Sequence, residues 1–246
     1  MQIENCVALV TGANRGIGKA YVDALLAAGA AKVYGGARNP ADISATDKRV
    51  VPVKLDVTNQ ATVDAVAAKC TDVTLLINNA GIMYETKPLD KEALDHFRAE
   101  LEVNAFGLLR MSQAFAPILK KNGGGAIANM LSVVSWFVYP FNATYCASKF
   151  AALGISEGLR TQLRSQGTHV TAVYAGFVDT DMAAKANAPK TTPQQVAEKT
   201  LEGIEKELDH VHSDSQSENY WEQLKADRGL SNAMKEVWSS GMSVFA

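Results

Sequence analysis

The chain has 246 residues, close to half of them apolar and a fifth charged, enough for one sizeable core in a single domain spanning 1–246. A formal net charge of −2, with no basic stripe interleaved with aromatics, excludes a nucleic-acid footprint. No signal-peptide pattern opens the chain, and the most apolar later stretch, 126–141, carries Asn129, Ser132, Ser135 and Pro140, so no membrane segment is expected.

In chain order, short β-rich runs alternate with longer helical ones. Residues 6–11 read as a strand, 16–28 as a helix, 32–37 and 50–55 as strands, 60–69 as a helix and 73–78 as a strand. Helices follow at 91–102 and 105–121, then a strand at 126–131, a helix at 145–165 and a strand at 169–174. Thr192 as cap and Pro193 in the first turn start a helix over 193–208, and 210–213 reads as a last, surface strand. The strands are nearly continuous Val, Ile and Leu, as expected of strands covered on both faces. Alternation of this kind predicts a doubly wound α/β domain with a parallel sheet of about seven strands flanked by helices. In the tail, 217–246, Tyr220, Trp221 and Leu224 fall on one helical face and Met234, Val237 and Trp238 on another. These faces pack either on the same domain or on a second subunit. Cys6, Cys70 and Cys146 are scattered and read as reduced thiols of a cytoplasmic protein. His210 and His212 lack a third ligand, so no metal is expected.

Two segments carry chemistry. The first strand runs straight into Thr11-Gly12-Ala13-Asn14-Arg15-Gly16-Ile17-Gly18 and a helix. A turn this tight needs glycine, for unusual backbone angles and for close approach of backbone N–H groups to a pyrophosphate. The helix adds its N-terminal donors and positive dipole end. The second segment is Tyr145-Cys146-Ala147-Ser148-Lys149. Four residues apart on a helix, the hydroxyl and the ammonium share one face. A free tyrosine has a pKa of about 10, too high for efficient acid–base work near neutrality. The neighbouring ammonium of Lys149 is expected to lower it.

Around these segments stand Asp56-Val57 at the end of the third strand, Asn78-Asn79-Ala80-Gly81 after the fourth, Asn104-Ala105-Phe106-Gly107, and Ser132 thirteen residues before Tyr145. Together, in this order and over roughly the first 180 residues, they resemble the short-chain dehydrogenase/reductase family. The resemblance implies a Rossmann sheet and a nicotinamide dinucleotide. Gly12, Asn14, Arg15, Gly16, Ile17 and Gly18 would hold its diphosphate, Asp56 and Val57 its adenine, while Asn79, Ala80 and Gly81 would border the adenosine ribose. Ser132 would hydrogen-bond the substrate oxygen, Tyr145 would transfer the proton, Lys149 would bind the nicotinamide ribose, and Asn104 would position a water in the proton relay. The segment 175–180 is similar to the family's PGxVxT, which assigns Val178 and Thr180 to the carboxamide. Ala175 in place of Pro, Leu131 in place of Ser and Ser135 in place of Gly depart from the family pattern, and none of them removes a reacting group.

The cofactor expected is NADP(H). Ala37 stands where an acidic residue would repel a 2′-phosphate, and Arg38 and Arg15 offer guanidinium groups to bind one. Val134, Trp136, Phe137, Tyr139, Phe177 and Met182, with Met83, are expected to wall a site for a bulky apolar carbonyl substrate. Residues 181–190 read as a lid. Relatives pair the helices read here at 105–121 and 145–165 across subunits, which implies a homodimer or homotetramer. The alternatives from other classes are an inactive dinucleotide-sensing regulator and a scaffold subunit on the same fold.

Overall fold

The computed structural model describes residues 1–227. Its strands β1 (Val7–Thr11), β2 (Lys32–Ala37), β3 (Val50–Lys54), β4 (Leu75–Asn78), β5 (Gly125–Met130), β6 (Thr168–Tyr174) and β7 (His210–His212) form one parallel sheet. Their order is β3-β2-β1-β4-β5-β6-β7. Leu9, Val10, Leu75, Leu76 and Ile77 are fully excluded from solvent, because helices cover both faces. On one face α1 (Gly16–Ala27) and α6 (Pro193–Glu205) pack together around Tyr21, Leu25, Val196 and Ile204. The buried Tyr21 hydroxyl is satisfied by Thr200 at 2.8 Å. On the other face α2 (Gln60–Lys69), α4 (Leu108–Lys121) and α5 (Ala143–Leu163) enclose Val63, Met111, Phe115 and Leu159.

Sheet order reverses between β1 and β4, and the chain therefore departs from these two neighbours in opposite directions. That leaves a crevice at their C-terminal ends, the general ligand position of open parallel sheets. Thr11 and Asn78, the last residues of β1 and β4, stand at its floor.

The expected strands and helices all form, with ends shifted by at most three residues. Two features correct the sequence reading, and a third decides between the two readings of the tail. The helices read at 91–102 and 105–121 are one continuous rod, in which α3 (Ala93–Leu101) passes through a π-helical segment, Glu102–Gly107, into α4. Its wide turn accommodates Asn104, whose side chain bonds Ile82 and Ser148, while Gly107 lies so close to Val57 that a Cβ would come within 2.7 Å. The last strand is not a bare surface strand, since α7 (Ser215–Asp227) folds across it and Trp221 packs on His210 and His212. Of the two readings of the tail, packing on the same chain is the one realised for Tyr220, Trp221 and Leu224, which lie against the core. Met234, Val237 and Trp238 lie outside the described residues.

Candidate active site

The glycine turn occupies the crevice. Gly12 and Gly16 adopt left-handed backbone angles, φ +67 and +53, which a side chain would strain. A Cβ on Gly18 would meet the Gly12 carbonyl oxygen at 2.0 Å. The turn and the Asn78–Gly81 element brace each other. Thr11 Oγ1 accepts hydrogen bonds from Asn79 N and Ala80 N, both at 2.9 Å, and Asn79 Nδ2 donates to Thr11 O at 2.9 Å. Thr11, which opens the glycine turn in the sequence, ties two strands through its hydroxyl, a role the turn pattern alone does not give.

Helix α1 starts at Gly16 with no side-chain cap and no acidic residue in its first turn. Its leading N–H groups and positive dipole end thus have no side-chain acceptor from the cap, which suits an anionic diphosphate. Asn14, Gly16 and Ile17 are half-exposed around it, and Arg15 and Arg38 are exposed. The Arg15 guanidinium pairs with Asp181 of the expected lid at 2.7 Å. Burial pushes the Asp56 carboxyl up, but donors from Thr58 and the charge of Arg38 outweigh it and leave the group below its ordinary range. Val57 is buried beneath Gly107. These residues fit a nicotinamide dinucleotide.

Across the crevice, Ser132, Tyr145, Lys149 and Asn104 come together from three separate elements. Ser132 follows β5; its Oγ donates to Ala175 O at 3.3 Å and accepts from Val134 N at 3.4 Å. Tyr145 and Lys149 lie on α5, with Lys149 Nζ 5.7 Å from the tyrosine ring centroid. The ammonium donates to Met130 O at 2.9 Å, and burial lowers its pKa to about 8, so it stays mostly charged at neutral pH. Asn104 is locked: Oδ1 accepts from Ile82 N, and Nδ2 donates to Ile82 O and Ser148 Oγ, each at 2.9 Å. Behind them a buried chain runs from Asn78 Nδ2 to Asn129 Oδ1 and from Asn129 Nδ2 to Ser156 Oγ, both at 2.9 Å. The electrostatic expectation for Tyr145 is corrected. Burial, followed by Cys146, pushes its hydroxyl up, and the hydrogen bond with Ser132 only partly offsets this.

The expected substrate wall divides. Trp136 stacks among Tyr174, His212 and Trp221, with centroids 4.2, 5.5 and 5.2 Å away, and Phe137 lies 4.5 Å from Tyr220. The Tyr139 and Tyr220 hydroxyls meet at 3.3 Å. These three side chains and Val134 are buried, whereas Phe177 and Met83 are half-exposed and Met182 is exposed. Helix α7 also grips the loop past β6: Asp214 Oδ2 accepts from Gly176 N at 2.8 Å and Gln216 Oε1 from Phe177 N at 3.1 Å. That clamp was missed, although Ser213-Asp214-Ser215 before a helix is a recognisable cap signal. Val178 is buried and bridges to Thr191, and Thr180 packs near Gly16.

Comparison with known proteins agrees with this geometry. A family model described as short chain dehydrogenase matches residues 6–191. A 3-oxoacyl-(acyl-carrier-protein) reductase of Synechocystis is 34% identical over 193 residues, 74% of this chain and 78% of the relative. A 3alpha-hydroxysteroid dehydrogenase of Mediterraneibacter gnavus is 35% identical over 196 residues, 75% and 78% of the two chains. The crystal structure of a short chain dehydrogenase from Burkholderia cenocepacia in complex with NADP matches with a TM-score of 0.89 at 42% identity, covering 93% of this chain and 96% of that one. A Burkholderia phymatum structure in complex with NAD, at 24% identity and a TM-score of 0.80, covering 88% and 91%, shares the fold. No helix among the described residues is long and apolar enough to cross a membrane. With its glycine turn, its switch-point crevice and its matched length, the chain belongs to the short-chain dehydrogenase family of oxidoreductases.

Proposed function

We propose that the protein reduces a ketone or aldehyde to an alcohol, reversibly, with NADPH as reductant and Tyr145 as proton donor. The observation that carries this reading is the convergence of Asn104, Ser132, Tyr145 and Lys149 beside the glycine turn. A nicotinamide cofactor held in the crevice would supply the hydride for the carbonyl carbon. The Tyr145 hydroxyl gives its proton to the carbonyl oxygen, and Ser132 donates a hydrogen bond to the same oxygen as charge develops there. Lys149 holds the nicotinamide ribose, and Asn104, fixed on three sides, orients the water that returns a proton to the relay.

Arg15 and Arg38, with Ala37 in place of an acid, favour a 2′-phosphate. The NADP complex of the Burkholderia cenocepacia relative supports the same choice. Asp56 and Val57 flank the adenine, and Val178 and Thr180 hold the carboxamide side. A bulky apolar substrate suits the aromatic surroundings, and the two named relatives bear a 3-oxoacyl and a hydroxysteroid group in their names. Residues 181–190 serve as a lid tied by Arg15–Asp181 and Lys185–Glu85. The outer face of α5 at Gly154 and Gly158 has nothing within 4 Å of an added Cβ, which supports subunit pairing along that helix. The test is NADPH consumption over a panel of aromatic, steroidal and 3-oxoacyl ketones by wild type and Tyr145→Phe. Turnover by the wild type alone is expected. NADPH binding without turnover of any carbonyl would return the protein to a dinucleotide-sensing role.

A further inference from the structure

One buried carboxyl next to the site is unused by the chemistry above. Glu100, on α3, is completely excluded from solvent. Its Oε1 accepts from Tyr84 N at 2.7 Å, and its Oε2 is buried without a hydrogen-bond partner. Helix α3 packs on α5, and the Thr144 hydroxyl, adjacent in sequence to Tyr145, lies against the carboxyl without completing a bond. Among the described residues no cation forms an ion pair with it; the ring of His96, one turn back on α3, is the nearest positive influence. His96 itself stacks on Tyr84 at 4.1 Å and bonds Thr86 at 2.6 Å, so the loop over 82–86 is fastened to α3 at three points. The titratable groups facing the carboxyl from α5 are Tyr145 and Cys146, with Lys149 beyond the tyrosine ring.

We propose that Glu100 is a positioning residue for carbonyl reduction: its carboxyl pins the loop beside the site, and its charge, facing α5, biases the reaction toward reduction. The inference rests on Tyr145 being the proton donor. A negative charge behind the tyrosine disfavours tyrosinate, the form that alcohol oxidation needs, and keeps the hydroxyl protonated for reduction. Burial, ahead of every other influence, also lifts Glu100 above the ordinary carboxylate range. Loop and charge are separable by substitution, because glutamine keeps the acceptor for Tyr84 N and puts an uncharged amide nitrogen in place of the unpartnered Oε2.

The experiment measures kcat/KM for alcohol oxidation against pH in wild type, Glu100→Gln, Glu100→Asp and Tyr145→Phe. In Glu100→Gln the rising alkaline limb should move to lower pH by roughly half to one unit, the scale of one nearby like charge. In Glu100→Asp, which keeps the charge, it should stay near the wild-type position. A folded Glu100→Gln enzyme with an unmoved limb overturns the proposal. Thermal melts of the cofactor-free protein give a readout independent of turnover. A carboxyl held above its unfolded pKa loses stability as pH rises through that unfolded value, and the loss persists above the folded one. Glu100→Gln should therefore melt at or above wild type at pH 8, with the difference shrinking toward pH 4. A Glu100→Gln variant melting well below wild type at pH 8 would also overturn it. Persistent turnover by Tyr145→Phe would instead overturn the proton-donor assignment, an outcome distinct from either of these.

Discussion

On the cofactor side of the crevice, the structure is backbone. Left-handed glycines, an uncapped helix start and bonds from Asn79 to the Thr11 hydroxyl and carbonyl shape it, and few side chains could replace those present. On the side proposed for the substrate, the structure is interchangeable apolar bulk. Trp136, Phe137 and Tyr139 are held by a helix eighty residues further along, through contacts that another aromatic set could reproduce. The difference shows where function constrains sequence: a wall made of backbone dictates residue identity, and a wall made of side-chain surface dictates only size and polarity.

The reacting group lies between these walls and should give the largest effect. Tyr145→Phe removes only a hydroxyl, so ketone reduction should fall about 1,000-fold or more while melting temperature and NADPH affinity hold. Ser132→Ala should cost about 100- to 1,000-fold in kcat, the usual loss of one oxyanion-type donor. Near-wild-type turnover by either folded variant would break the comparison at its centre.

A paired substitution tests the two walls directly. Gly18→Ala drives a methyl onto the Gly12 carbonyl and should lower both melting temperature and NADPH affinity, the latter more than tenfold. Trp221→Ala opens the aromatic stack on Trp136 and should raise substrate KM several-fold with NADPH affinity unchanged. Titration of NADPH by fluorescence alongside steady-state kinetics separates the patterns. If Trp221→Ala weakens cofactor and leaves substrate KM alone, the division of the walls is wrong.

Cofactor choice sharpens the cofactor wall further. Ala37→Asp with Arg38→Leu should move the NADPH-to-NADH ratio of kcat/KM by about 100-fold toward NADH, through a lost guanidinium and a new repulsion. A wild type that already prefers NADH would defeat the 2′-phosphate reading.

The sequence carried the fold almost whole, because buried parallel strands must be apolar runs and their crossovers must be helices. It also carried Gly12, Gly16 and Gly18, and the Tyr145–Lys149 pair, since strained turns and helical spacing leave fixed residue types behind. It did not carry the π-helical joint at Asn104, which depends on Ile82 and Ser148, residues distant in sequence. Nor did it carry the raised Tyr145, because burial is a property of the assembled site and not of YxxxK spacing. Glu100 is one of several charges on its helix. Only packing against α5 distinguishes it from the exposed Asp95 on the same helix.

The smallest expected effect sits where the cofactor wall meets the proposed lid. Arg15 is assigned here to the 2′-phosphate, yet its guanidinium is bound to Asp181, and both side chains are more than 70% exposed. An exposed pair of this kind contributes little to stability, so its consequence is competition: each arginine conformation that faces Asp181 is one that does not face the phosphate. Asp181→Asn should therefore lower the KM for NADPH about two- to threefold at low ionic strength and leave that for NADH unchanged, since NADH carries no 2′-phosphate. The melting temperature should move by no more than about a degree. Raising the salt screens the exposed charges, so the gain should fade when the Debye length drops to about 3 Å at 1 M. Steady-state kinetics with both cofactors at two salt concentrations decides the point. An equal change for NADPH and NADH would mean that Asp181 acts on the lid alone and that Arg15 has no part in reading the phosphate.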